Sequence, residues 1–312
     1  MPKIAIIQHA PQVLDRDATL DKAVRFIAGA AAQGAHLIVF PEAFVPGYPA
    51  WVWRLRPGGD WDQSEQIHQR LLENAVDLSR DGLSVIRAAA REANVTLVIG
   101  INERDGSFGR TTLYNSAVTI GPDGRILNRH RKLMPTNPER MVWGFGDASG
   151  LQAIDTPVGR IGTLLCWENY MPLARFALYA QGIDIHIAPT YDSGEGWLGT
   201  LQHIAREGGC WVIGAGIALR NRDLPDDLPD RDRLYQSEED WINPGDSVVI
   251  APGGGLVAGP LHEEQGILYA EIDPQQAAKA RRTFDVAGHY ARPDIFTLTV
   301  NRRKQSPIEF ES

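Results

Sequence analysis

The chain has 312 residues, 43% hydrophobic and 22% charged, enough apolar material for one large α/β domain or two small ones. Its net charge of -8 speaks against nucleic acid as a main partner, since phosphate backbones are bound by basic surfaces. No apolar run approaches the roughly 20 residues of a membrane span, and Cys166 and Cys210 form neither a disulfide framework nor a metal-ligand spacing.

In chain order, Met1-Pro2-Lys3 leads straight into the strand KIAIIQ, too short for a signal-peptide core, so a soluble cytoplasmic protein with reduced thiols is expected. A helix over 18–33, the strand HLIVF, helices over 64–78 and 83–93, and the strands VTLVIGI and YNSAVTI follow. Pro122-Asp123-Gly124 signals a hairpin. The strand RIGTLLCW leads to a helix over 172–181 opened by Pro172, then to IHIAPT, a helix over 197–208 and CWVIGAG. The segment 220–240, charged and broken by two prolines, is expected to be a long surface loop, solvated or serving as a lid or assembly contact. SVVIAP, a second hairpin signal at Pro252-Gly253-Gly254-Gly255, ILYAEI and a helix over 274–282 complete the pattern. After Pro293 a short strand is expected over 295–300, then a basic tail on the surface or exchanged between subunits. Several strands are apolar at nearly every position, the mark of strands covered on both faces. A mixed sheet, or two sheets face to face with helices outside, is the expected architecture.

Three segments place a chemically capable residue at the end of an apolar strand. Glu42 follows HLIVF, at the carboxyl end where open α/β sheets build their sites. Lys132 follows the basic run Arg129, His130 and Arg131, and Cys166 closes TLLC where a strand pattern turns into a helix pattern. Taken singly, each has an ordinary reading: a solvated strand end, a surface lysine, a buried core cysteine. Together they have complementary chemistry. A thiol is only a few per cent ionised at neutral pH. A glutamate can take its proton, and a lysine cation can hold developing negative charge. The backbone N–H of Trp167 is a natural second donor. Cys210 sits in a buried-strand pattern and belongs to the core. His9, His36, His186 and His203 are scattered without metal spacing, and Gly253 to Gly255 lack the strand and helix context of a nucleotide loop.

These segments resemble the nitrilase superfamily of carbon–nitrogen hydrolases, and within it the true nitrilase branch. The likeness runs from Ile4 to about Phe296: FPEAFVPGYP around Glu42, HRKLMPTNPER around Lys132, LLCWENYMPLAR around Cys166, and GHYARPDIF near the end. The resemblance implies a four-layer α-β-β-α sandwich of two mixed sheets, as a single domain over 1–296 with a tail over 297–312. It implies Glu42 as general base, Lys132 as charge stabiliser, Cys166 as nucleophile, and Glu139 as a second glutamate beside the lysine. It places Tyr48, Thr136, Trp143, Trp167 and Tyr170 around the substrate, giving an aromatic pocket suited to apolar nitriles. Cys-Trp-Glu is typical of nitrilases, whereas amidases and carbamoylases usually carry other residues there. The expected reaction is hydrolysis of an organic nitrile to acid and ammonia through a thioimidate and a thioester, with no metal or cofactor required. The alternatives are an amidase or N-carbamoyl hydrolase, a cyanide-hydrolysing enzyme, and a catalytically silent interaction protein. Asn137 stands where many members carry histidine, and the chain ends soon after GHYARPDIF. Members dimerise through the helices after the nucleophile, and nitrilases often extend into spirals. A homodimer or larger assembly is therefore expected, with the stripe Leu173, Phe176, Ala177 and Ala180 facing a partner or the core.

Overall fold

A computed structural model describes residues 1–308. Along the chain run β1 (Lys3–Gln8), α1 (Arg16–Ala32), β2 (Leu37–Val39), α2 (Trp61–Glu73), α3 (Ser84–Ala93), β3 (Thr96–Arg104), β4 (Leu113–Ile120) and β5 (Ile126–Arg131). Then come β6 (Ile154–Thr156), β7 (Gly159–Thr163), α4 (Pro172–Tyr179), β8 (Ile185–Thr190), α5 (Gly194–Gly208), β9 (Trp211–Gly216) and β10 (Ala218–Arg220). The last elements are α6 (Arg231–Leu234), β11 (Trp241–Ile250), β12 (Leu256–His262), β13 (Gly266–Glu271) and α7 (Gln275–Arg281). One sheet has the order β13-β1-β2-β3-β4-β5, the other β10-β11-β9-β8-β7-β6 with β12 on β11. Both are mixed: β1, β2 and β3 pair in parallel, as do β7, β8 and β9, and the remaining pairs are antiparallel.

Strand alternation assigns each apolar side chain to a layer. Ile4, Ile6, Leu37, Val39 and Val98 point between the sheets, where they meet Ile161, Ile185, Ile187, Ile213 and Val249. Ala5, Ile7, Ile38, Leu97 and Ile99 point outward against α1 and α3. In α1, Leu20, Ala23, Ile27 and Ala30 recur at three- and four-residue spacing, and Asp15 caps the helix by accepting from the Ala18 N–H at 3.0 Å. On the far side, Val212, Val248 and Ile250 pack under α4 and α5. The result is the expected four-layer α-β-β-α sandwich, and each expected turn lies in a hairpin, joining β4 to β5 and β11 to β12, although neither β5 nor β12 was among the expected strands.

Three expectations need correction. The segment 220–240 is no simple surface loop: Leu224, Leu228, Leu234 and Tyr235 are buried in an apolar cluster with Tyr48, Trp51, Trp143 and the α2 residues Ile67 and Leu71. Widely spaced apolar residues among so many charges left no periodicity to detect. Residues 295–300 form no strand; Ile295 and Phe296 are exposed and the backbone is irregular. The helix expected over 64–78 runs from Trp61 to Glu73, and Leu78–Arg80 forms a separate 3-10 turn. The tail lies along the 147–152 segment, with Arg302 donating to Gln152 and the Gln305 N–H to Asp147. Residues 309–312 of that expected tail lie outside the described residues. Among the described residues no helix is long and apolar enough to cross a membrane.

Candidate active site

Glu42 reaches the interior because the chain crosses β3 at a glycine. A Cβ on Gly100 would come within 2.2 Å of the Pro41 carbonyl oxygen and 2.5 Å of the Ala43 nitrogen, so the Pro41–Glu42–Ala43 backbone can lie there only over glycine. Glu42 is fully buried. Its Oε1 accepts from Lys132 Nζ at 2.8 Å and Asn115 Nδ2 at 2.7 Å, and its Oε2 accepts from the Tyr191 N–H at 2.8 Å. Burial lifts this carboxyl above its ordinary range, against the pull of Lys132.

Lys132 owes its inward direction to the alternation of β5. Arg129 and Arg131 point to one face and pair with Glu103 at 3.0 and 2.6 Å, while His130 and Lys132 turn to the other and are buried. The Lys132 N–H continues the ladder onto the Asn115 carbonyl. Beyond Glu42, Nζ donates to Glu139 Oε2 at 2.7 Å. Glu139 sits in the 3-10 turn Asn137–Met141, where it also accepts from the Thr136 N–H and from Tyr48 Oη, both at 2.6 Å. Burial works against the ammonium, yet Glu42, Cys166 and Glu139 hold its pKa above the ordinary lysine value. Burial and then Glu139 keep the Tyr48 phenol neutral, as its role as donor requires.

Cys166 opens the 3-10 turn Cys166–Tyr170 with φ +48°, a left-handed conformation that costs a side-chain-bearing residue about 1–3 kcal/mol. The next residues hold it there. Buried Glu168 accepts from the Leu165 N–H and the Leu133 N–H, both at 2.6 Å, and from His130 Nε2 at 3.0 Å. Asn169 donates to the carbonyls of Cys166 and Leu164 at 2.8 and 3.1 Å and accepts from His186 at 2.6 Å. Burial keeps that imidazole neutral, its pKa pushed down to about 3. Glu168 thus fastens the residue after Lys132 to the residue before Cys166. The thiol itself is pushed up by burial and by Glu42, with Lys132 and a Thr190 hydrogen bond opposing. At rest the sulfur carries its proton, and a base must remove it as it attacks.

A cavity of about 280 Å³ opens onto Cys166, lined by Tyr48, Trp53, Thr136, Glu139, Trp167, Tyr191 and Asp192 among others. Of the residues the resemblance puts around the substrate, Tyr48, Thr136 and Trp167 line this cavity. Trp143 does not line the cavity: it packs edge-on behind Tyr48 and donates to Asn102 at 2.9 Å. Tyr170 lies outside the cavity wall, its hydroxyl 3.3 Å from the Asp192 carboxylate that also takes the Trp167 Nε1–H at 2.8 Å. A larger cleft of about 460 Å³ beside α1 is lined by charged side chains such as Arg16, Asp77 and Arg80, and holds none of these groups. Sequence reasoning missed Asn115, Glu168, Asn169, Thr190 and the Tyr191 N–H. Asn115 carried a usable signal, an amide inside a strand pattern, where a buried polar group must find hydrogen-bond partners. Among the described residues no group of His, Cys, Asp and Glu is arranged to hold a metal ion.

Against known proteins, a family profile described as carbon-nitrogen hydrolase matches residues 3–282. A bifunctional nitrilase/nitrile hydratase of Lupinus angustifolius is 40% identical over 317 residues, covering 99% of this chain and 89% of its own. An aliphatic nitrilase of Sinorhizobium fredii is 39% identical over 307 residues, covering 98% and 97%. In fold, a carbon-nitrogen hydrolase from Helicobacter pylori superimposes with a TM-score of 0.70 at 22% identity, over 95% of this chain and 96% of that one.

Proposed function

The chain belongs to the carbon–nitrogen hydrolase family, and from that membership we propose that it is a nitrilase, converting an organic nitrile to the carboxylic acid and ammonia. The observation that carries the chemistry is one buried ammonium gripped by two carboxylates beside a buried thiol at the foot of a cavity. Relatives of about 40% identity named as nitrilases carry the choice of a nitrile over an amide.

Cys166 Sγ attacks the nitrile carbon as its proton passes to Glu42, and the proton continues to the nitrogen, giving a thioimidate. Oε1 of Glu42 already holds two hydrogen bonds and Oε2 one, so Oε2 is the oxygen that takes the proton. Glu42 then deprotonates a water that adds to the thioimidate carbon. Ammonia leaves, a thioester remains, and a second water releases the acid and restores the thiol. Two waters are consumed in all. An ammonium has three N–H donors, and Lys132 spends two on Glu42 and Glu139, which leaves one for charge developing on the substrate. The Trp167 N–H, in the first turn after Cys166, is the second donor. Glu139 accepts through both oxygens and serves to aim Lys132.

A panel of aliphatic, arylaliphatic, aromatic and dinitrile substrates tests the reading, with acid and ammonia measured together and expected in equal amounts. Turnover of amides or cyanide alone would sink it. A second product is measured in the same assay: if the tetrahedral adduct expels the thiol instead of ammonia, the amide is released, and the Lupinus relative carries both activities in its name. We place the enzyme in the cytoplasm, a reducing setting that suits two free buried cysteines; fractionation that finds it secreted would refute this. Assembly through α4 and α5 belongs to the same proposal, since Leu173 and Phe176 project from α4 while Ala174, Ala177 and Leu178 face the core. The 220–240 segment is proposed only as a contact beyond such a dimer.

A further inference from the structure

Tyr191 touches both the catalytic base and the pocket wall. Its backbone N–H holds Glu42 Oε2 at 2.8 Å, and its side chain lines the cavity that contains Cys166. The ring lies flat on Tyr48, with centroids 3.7 Å apart and planes 6° apart. Tyr48 cannot give way: its hydroxyl is tied to Glu139 at 2.6 Å and accepts from Trp53 Nε1 at 2.9 Å, and Trp143 braces it edge-on. The Tyr191 carbonyl is held by Asn243, a further lining residue. The wall beside the nucleophile is therefore a fixed slab two rings thick, and its cavity-side layer stands partly exposed. The cavity, about 280 Å³, falls just below the ~300–1,000 Å³ usual for small-molecule sites.

We propose that the Tyr191 ring sets the size limit of the substrate, filling space that the group bonded to the nitrile carbon would otherwise occupy. The substrate class is then compact, unbranched nitriles, with those bearing a ring or a branch next to the nitrile carbon excluded. This rests on the nitrilase reading. The division of labour within Tyr191 makes it separable from that reading. The contact to Glu42 is a backbone N–H that any residue except proline supplies, whereas the size limit belongs to the side chain alone.

The test compares kcat/KM for butyronitrile and 2-phenylpropionitrile in the wild type, Tyr191→Ala and Tyr191→Phe. The wild type should favour butyronitrile. Tyr191→Ala should move the ratio toward 2-phenylpropionitrile by about tenfold or more, the scale on which apolar pockets discriminate by size. Tyr191→Phe, which keeps the ring, should leave the ratio within about twofold of wild type on that same scale. Iodoacetamide labelling of Cys166 reports whether each variant keeps an intact site, and Tyr191→Leu reads the same ratio should Tyr191→Ala fail to fold. An unchanged ratio in a labelled, folded Ala or Leu variant overturns the inference while leaving nitrile hydrolysis standing. A wild type that turns over neither compound, nor any other nitrile, overturns the parent reading and this one with it.

Discussion

Lys132 is where the charges of the site are balanced. One ammonium faces two carboxylates and a thiol with almost no solvent to screen them, so its removal changes the titration of its neighbours as well as the chemistry. Glu42 must be unprotonated to act as base, and burial already lifts its pKa above the ordinary 4.5. The sign follows: kcat/KM of the wild type falls as pH drops through a value above 4.5. Lys132 favours the ionised carboxylate. Lys132→Gln should therefore move that acid limb to higher pH, together with a loss of about 10²–10³ in kcat. A limb that stayed in place or moved to lower pH would show that Glu42 is not the titrating base. Lys132 itself stays charged beyond its ordinary range, so any alkaline limb belongs to another group.

At the scale of elements, the site depends on two segments held in register by a side chain from a third position. Glu168 accepts the N–H groups of Leu133 and Leu165, and only a carboxylate offers both acceptors. Glu168→Gln leaves one of these buried donors unpaired, at about 1–3 kcal/mol. We expect kcat to fall more than about tenfold, KM to stay nearly constant, and iodoacetamide to label Cys166 more slowly. Equal kcat in a folded variant would reduce Glu168 to a structural residue. Much of this framework was legible along the chain, because β1, β2, β8 and β9 are mostly apolar runs, Glu42 stands just after β2, and Cys166 stands just after the apolar pair Leu164 and Leu165 that follows β7. β5 was not legible: ILNRHR alternates charge pairs with Glu103 on one side and buried His130 on the other, which disguised an inward lysine as one of a surface cluster. Asn115, Thr190 and Tyr191 come from strands remote in sequence and converge only once the sheets are paired. Nor could periodicity reveal the 220–240 segment, whose buried Leu224, Leu228 and the Leu234-Tyr235 pair are set apart by prolines and charged residues.

For the whole molecule, the two sheets bury a common core, and the site lies where Glu42, Lys132 and Cys166 leave the ends of β2, β5 and β7. The turn that carries Cys166 runs directly into α4, whose Leu173 is 65% exposed. On the proposal that α4 meets a second copy of the chain, this leucine would lie in the interface. Leu173→Glu should therefore shift sedimentation from dimer or larger toward monomer and lower kcat, since an unsupported α4 loosens the turn. A wild-type monomer of full activity would remove assembly from the account. The central claim, that Cys166 carries the substrate as a thioimidate and then a thioester, is tested most directly by mass spectrometry of enzyme quenched during turnover of a nitrile. The account predicts an adduct on the peptide containing Cys166, first with the mass of the nitrile added and then with that of the acyl group. It also predicts that both adducts and turnover vanish in Cys166→Ala. Sustained acid and ammonia release from Cys166→Ala, or turnover with no adduct at Cys166 under any quench time, would contradict it.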